Sequence, residues 1–298
     1  MLINKTTGTM EITTISHCSV MCTFCPQITL KKAYGNNEKT MSLNSFSKFL
    51  SKIPQYIDIH FAGYSEPWLN PEATDMLELT LLNNHNVSIY TTLAGMSVED
   101  ANRVIELCTK HTKQIKTLVL HLQDKNKNMR GLKITEEYKQ ILKLFVNFKN
   151  TNTLELFQIM TMDKENNFDK EILEIIDKPT FNFIPLSRAG NLNGNKVEYV
   201  DSPKHSEPIY CGKTPYYNKN VLMPNGDVAL CCMDYGLQHV IGNLNDQDYW
   251  ELFETKGMHE VRKNNMLNEY SDKTICRNCE WALPLKDFSR ATTLPIGS

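Results

Sequence analysis

The chain has 298 residues and a formal net charge of −2. That is enough length for one large domain or two smaller ones, and too little net charge to argue for nucleic acid or an anionic membrane as a partner. No apolar run approaches the ~18 residues needed to span a bilayer, and the opening Met-Leu-Ile-Asn-Lys lacks the apolar core of a signal peptide. Nine cysteines, an odd number at clustered spacings, do not read as a secreted disulfide framework, so a reducing cytoplasm is the expected compartment.

Apolar periodicity switches repeatedly between two and about 3.6 residues, which suggests a β/α architecture. The first strand is expected over Met10–Ser16 and runs into Cys18-Ser-Val-Met-Cys22-Thr-Phe-Cys25, a C-x3-C-x2-C loop. Three thiolates this close can hold three irons of a [4Fe–4S] cube and leave the fourth open to a ligand that is not protein. Zinc is the alternative, but it needs a fourth Cys or His, and the adjacent His17 falls on the opposite face of the strand.

Further strands are expected at Ile57–Ala62, Val87–Thr92, Thr117–Leu122, Leu154–Met160 and Thr180–Pro185. Helix patterns lie between them, near Leu43–Lys52, Pro71–Asn83, Ser97–His111, Thr135–Asn147 and Phe168–Ile176. Ser42, Asn70-Pro71, and Ser97 with Glu99 and Asp100 are start signals. Strands followed in turn by helices imply a parallel sheet with right-handed crossovers, either doubly wound or curled into a partial barrel.

Ligands of such sheets bind at the carboxyl ends of the strands. The second strand ends in Gly63-Tyr64-Ser65-Glu66-Pro67, a segment that any strand-to-helix turn could also use, and the third in Thr91-Thr92. The fourth is followed by His121, Gln123 and Asp124, candidate contacts in the cavity for which a solvated loop is the favoured alternative, and the sixth by Ser187-Arg188-Ala189-Gly190-Asn191, where Arg188 suits a carboxylate. Cys108 reads as a buried thiol within a helix.

From about Leu192 the pattern changes. Gly194, Asn195, Pro203 and Pro208 mark a linker, and Asn225-Gly226-Asp227 between Val221-Leu222 and Val228-Ala229 reads as a tight hairpin, with a helix near Trp250–Lys263 to follow. Cys211, Cys231, Cys232, Cys276 and Cys279 form a second set, with a C-x14-G-x4-C hairpin and a closing C-x2-C. A zinc site is the alternative here too.

The three-Cys loop, with Phe24 before its last cysteine, resembles the signature of the radical S-adenosylmethionine (SAM) enzymes. The Gly63–Pro67 segment is similar to that family's G-x-G-E-P, with Ser65 in place of the second glycine, and the second cysteine set resembles its twitch domain, a shortened SPASM domain. The resemblance implies a partial (β/α)6 TIM-like barrel over residues 1–192 and a small cysteine-rich auxiliary-cluster domain over 193–298. It implies SAM and two [4Fe–4S] clusters as cofactors, with Cys18, Cys22 and Cys25 on the open cluster. Cys211, Cys231, Cys276 and Cys279 would hold the auxiliary one, with Cys232 as runner-up to Cys231. Phe24, Gly63, Ser65, Glu66, Thr92 and Arg188 would contact SAM. The implied reaction is hydrogen abstraction from a small polar substrate by a SAM-derived radical, with two-electron oxidation of an alcohol carbon in a sugar or aminocyclitol. A flavodoxin or ferredoxin would donate the electron. A redox-neutral epimerase and a two-cluster electron carrier stay open. A peptide maturase is disfavoured because the first strand begins by about Met10, and a molybdenum-cofactor cyclase because the chain ends Leu-Pro-Ile-Gly-Ser rather than Gly-Gly.

Overall fold

The computed structural model describes residues 8–151, 154, 156–161, 163, 167–176, 181–182, 186–192 and 201–288. Strands β1 (Thr9–Ile12), β2 (Asp58–Phe61), β3 (Val87–Thr91), β4 (Ile115–His121), β5 (Phe157–Thr161) and β6 (Phe181–Asn182) pair in that order, each pair parallel. Parallel neighbours need long crossovers, and helices supply them. Helices α1 (Gln27–Tyr34) and α2 (Leu43–Leu50) follow β1, and α3 (Ala73–Leu82), α4 (Val98–Lys110), α5 (Glu136–Thr151) and α6 (Lys170–Leu173) follow β2 to β5 in turn.

The strand side chains Met10, Ile12, Ile59, Phe61, Ile89, Leu118 and Leu120 bury against Phe46, Leu77, Val104 and Phe145 of the helices, in one core. Each such side chain contributes roughly 1.5–3 kcal/mol on leaving water. The expected caps form. The Ser42 hydroxyl accepts from the Ser45 amide at 3.1 Å, and Ser97 and Asp100 exchange bonds in a capping box.

The C-terminal part adds β7 (Ile209–Cys211), β8 (Lys219–Leu222), β9 (Asp227–Ala229), β10 (Val240–Asn243) and β11 (Ala282–Pro284). The hairpin expected at Asn225-Gly226-Asp227 joins β8 to β9, with Gly226 at φ 89°. Its placement is new. β8 pairs in parallel with β1, Thr9 opposite Lys219 and Glu11 opposite Val221, so the hairpin and β10 continue the barrel sheet beyond β1. Among the described residues the end strands β10 and β6 do not pair, and the sheet is a partial barrel.

Two elements differ from expectation. α1 follows the cysteine loop where no helix was expected. The pattern near Trp250–Lys263 splits into a 3-10 turn, Tyr249–Glu254, and α7 (Lys256–Asn265), because Thr255 between them is extended and caps α7 through the Met258 amide. The expected domain boundary at residue 193, Gly194 and Asn195, the end of the sixth strand (183–185) and the Leu-Pro-Ile-Gly-Ser tail lie outside the described residues.

Asn70, 1 % exposed, ties the strand ends to the helices that follow. Its Nδ2 donates to the carbonyls of Thr14 (2.9 Å) and Met41 (2.8 Å), and its Oδ1 accepts from the Glu72 amide. Asn70→Ala strands those groups and is expected to cost about 2–3 kcal/mol, read as a lower urea midpoint.

Candidate active site

The chain leaves β1 into the Cys18–Cys25 loop, which a strap after β4 clamps from outside. Cys22 bridges Met129, the Thr23 amide donates to the Asn128 carbonyl at 2.9 Å, and the Gly131 amide donates to the Val20 carbonyl at 2.8 Å. A side chain at Gly131 would collide with the Ser19 carbonyl, so the approach is open to glycine alone. Gln123 holds the strap, exchanging bonds with the Met129 amide and carbonyl, and Asp124 accepts from the Asn126 amide. Of the three candidate contacts after the fourth strand, only His121 lines the cavity. Phe24 packs with Val20, Val119, Met129 and Met160 beneath the loop. Burial, and then mutual proximity, pushes the Cys22 thiol well up, and burial raises Cys18 to about 11.

The loop after β2 lies against β1. Gly63 has φ +59°, and a Cβ there would stand 2.5 Å from Thr13 Oγ1 and 2.8 Å from the Ile12 carbonyl. Glu66, 3 % exposed, accepts from the Thr92 amide (2.6 Å), Thr91 Oγ1 (2.7 Å) and Thr92 Oγ1 (2.8 Å), which locks the loop to the end of β3. The Thr92 hydroxyl thus spends its proton on Glu66. Burial raises the Glu66 pKa, and these bonds oppose the rise. Ser65 lines the cavity, and its buried Oγ has no hydrogen-bond partner among the described residues.

Arg188 sits at φ +55° in a turn held at both ends of the cavity wall. Ser187 Oγ and the Ala189 amide donate to Glu280, and Asn191 Nδ2 donates to the Met233 carbonyl. The guanidinium enters the cavity with no carboxylate within ion-pair distance among the described residues. It feels Tyr235, Cys232, Cys25 and Glu11. Glu11, on β1, was not singled out in the sequence. Burial pushes its carboxyl up to about 7, against the opposing pull of Arg188, a hydrogen bond with Cys232, and Lys219. Neighbouring His60 and His121 are held neutral, burial lowering them to about 3 and about 4.

The second cysteine set divides. β7 pairs with β11 so that Cys211 lies opposite Ala282, beside Cys279. Cys276 lies within a 3-10 turn, Ile275–Asn278, that Thr274 begins and Cys279 ends. Between them Arg277, fully buried, donates to the carbonyls of His205, Glu207, Asn264 and Leu267 and fixes the turn. Cys231 faces Cys276 and Cys279, whereas Cys232 faces Glu11 and Arg188. The segment between the two sets is tied to the barrel. Tyr64 Oη donates to the Cys231 carbonyl at 2.7 Å, and Cys25 Sγ lies 3.5 Å from Tyr235 Oη. Cys108 is buried in α4, apart from both sets.

Both sets open on one cavity of about 510 Å3, which Glu11, Phe24, Gly63, Ser65, Glu66, Thr92 and Arg188 also line. Among the described residues no three Cys, His, Asp or Glu side chains converge on a point where a single metal ion would touch them. Thiols that ring a cavity suit a bulky cluster better than one tetrahedral ion. The Ser65 hydroxyl, without a hydrogen-bond partner among the described residues, and the Arg188 guanidinium, which has only the Met233 sulfur at 4.0 Å and no carboxylate within ion-pair distance among them, fit a ligand with polar and carboxylate groups. Gly63→Ala combines the clash with a disfavoured φ. It is expected to cost at least about 1–3 kcal/mol and to weaken SAM binding, read by thermal melting and calorimetric titration.

An iron–sulfur cluster-binding domain model, SPASM, matches residues 211–280. No curated protein matches the sequence. Among solved structures, BtrN in complex with AdoMet and 2-DOIA superposes with a TM-score of 0.56 at 14 % identity, covering 94 % of this chain and all of that one. The enzyme anSMEcpe with bound AdoMet gives 0.53 at 17 %, covering 93 % of this chain and 84 % of its own. SuiB of Streptococcus suis, bound to its precursor peptide SuiA, gives 0.50 at 16 %, covering 92 % and 71 %. These are radical SAM structures, and the residues gathered here fit their cofactors, SAM and [4Fe–4S] clusters. The chain therefore has the radical SAM partial-barrel fold, closed at its C-terminal end by a SPASM-type iron–sulfur domain.

Proposed function

We propose that the protein is an oxidoreductase acting on a small polar substrate, an alcohol carbon of a sugar or aminocyclitol, in a reducing, cytoplasmic setting and with an electron donor such as flavodoxin or ferredoxin. The observation that carries this reading is the single cavity shared by both cysteine sets, with Glu11 and Arg188 between them. When bound, SAM and the clusters supply a 5′-deoxyadenosyl radical and a nearby electron acceptor. Cys18, Cys22 and Cys25 hold the SAM-side cluster, and Cys211, Cys231, Cys276 and Cys279 the auxiliary one. Cys232, directed at Glu11, is left free.

Arg188 would pair with the SAM carboxylate and Ser65 and the Gly63 backbone would meet its polar groups, while Glu66 fixes both loops through its bonds to Thr91 and Thr92. Phe24 would border the apolar side. Oxidation of an alcohol carbon also releases the hydroxyl proton, and Glu11 is placed to take it at a carboxylate oxygen. A carboxyl near 7 is matched to that task at neutral pH.

Anaerobic reconstitution should give about eight irons and, on reduction, 5′-deoxyadenosine from SAM. Cys22→Ala should abolish that product, and cleavage at the normal rate in this variant would sink the assignment. Glu11→Gln should spare SAM cleavage and lower substrate turnover by about 100-fold. Wild-type turnover should rise with pH through about 7 as Glu11 ionises. The stability effect has the opposite sense. The folded state holds the Glu11 proton from its ordinary 4.5 up to about 7, so this group's contribution to stability falls across that window. Glu11→Gln should therefore melt higher than wild type above pH 7.

Cys232 favours a second reading, redox-neutral epimerisation. Its thiol lies in the cavity beside Glu11 and Arg188, and an S–H bond can return a hydrogen atom to a substrate carbon, the thiyl radical left behind then taking one electron from the electron donor and one proton from the Glu11 carboxyl. Turnover of candidate sugars in deuterated water separates the two. Deuterium on product carbon, lost in Cys232→Ala, supports epimerisation, and an oxidised product without deuterium supports dehydrogenation.

A further inference from the structure

The strap that clamps the cysteine loop is the most basic stretch near it. Residues 125–133 read Lys-Asn-Lys-Asn-Met-Arg-Gly-Leu-Lys, four cations and no acid, in a chain of net charge −2. Its backbone is anchored to the loop at Val20, Cys22 and Thr23, while Met129 and Gln123 are buried beneath it. Lys127, Arg130 and Lys133 are directed outward. Lys127 lies 3.9 Å from the buried Asp169 and keeps 69 % of its side chain exposed. Arg130 and Lys133 form no ion pair among the described residues. On the other flank Lys31 and Lys39 are exposed cations on the segment that follows the loop. Glu38 is the one acid in that neighbourhood of the sequence. Between the flanks the loop presents Met21, 57 % exposed and held at φ +50°.

An exposed apolar tip inside a collar of exposed cations is the complement of an acidic protein surface with an apolar centre. We propose that this face, formed by Lys127, Arg130 and Lys133 around Met21, docks an acidic one-electron carrier protein of the flavodoxin kind. The carrier gives up one electron here, on the outer side of the loop, and the substrate cavity stays closed to it. The position rests on the proposed function, since only a reducible group at Cys18, Cys22 and Cys25 needs a donor beside it. The side chains themselves are outside the cavity lining. Electrostatic steering of this kind acts mainly on the association rate and fades with salt.

The test is direct binding of an acidic flavodoxin to the reconstituted full chain, by interferometry, at low and at high ionic strength. Wild-type association should weaken with salt, and the triple variant K127E/R130E/K133E should associate roughly tenfold more slowly. R130Q and M21S, milder changes at exposed positions, should each weaken binding by a smaller factor. Circular dichroism and iron content should match wild type. SAM cleavage driven by dithionite should be unchanged in the charge variants, while cleavage driven by reduced flavodoxin falls. Salt-independent binding, binding untouched by the triple variant, or preference for a single-stranded oligonucleotide over the flavodoxin overturns the proposal. Absence of dithionite-driven cleavage in wild type instead overturns the proposed function, and the binding data then judge the surface alone.

Discussion

The parallel pairing of β8 with β1 is the contact on which the site depends. β1 is the first strand of the barrel and would otherwise be an edge, with a row of unpaired backbone groups. Pairing on one side with β2 and on the other with β8 makes it central. The same pairing draws the C-terminal hairpin against the barrel, and the chain leaving β9 then crosses the cavity as Cys231, Cys232, Met233 and Tyr235. Tyr64 and Asn191, from barrel loops, hold that crossing by its carbonyls. One sheet thus feeds both the first cysteine loop and the Cys231–Cys232 crossing, while Cys211 comes from the smaller β7–β11 sheet.

β1 also decides which groups meet. Alternation along Met10-Glu11-Ile12 sends the two apolar side chains to the helix layer and Glu11 to the barrel interior. A carboxyl at that point faces Arg188 from the far end of the sheet and Cys232 from the hairpin. Three parts of the chain remote in sequence therefore share one polar centre, and none of them is a ligand in the proposed set.

Much of this was legible in the residues. Ser42 and Ser97 marked helix starts because their hydroxyls have few other ways to satisfy a helix end, and the cysteine spacings marked the two sets because few other patterns gather thiols so closely. α1 was not legible. Only Leu30 and Tyr34 are buried along it, while Ile28 is 88 % exposed, so its apolar spacing is too thin to read. Glu11 was passed over for a related reason. A lone acid in an alternating strand reads as solvent-facing, and only the curvature of the sheet turns that face inward. Adjacent Cys231 and Cys232 were expected to point apart, yet which one meets Cys276 depends on how β8 lies against β1, a contact with no local signal. The basic strap is plain in sequence but hidden in a net charge of −2.

The charges in the cavity argue that the fold is completed by what it binds. Arg188 enters it beside Glu11, while Glu66, the other acid of the lining, is committed to Thr91 and Thr92. A guanidinium drawn into a cavity without a carboxylate at ion-pair distance among the described residues is costly. The thiols are in the opposite predicament. Burial raises Cys22 and Cys231 well above their ordinary range, and neighbouring thiols add to the rise. Iron bound at these thiols would favour the thiolate form and bring anionic clusters that Arg188 can face. A SAM carboxylate would give the same guanidinium a direct partner. The groups for which burial is costly are therefore those that the proposed cofactors would satisfy, and cofactor loading would add to the stability that the apolar core supplies.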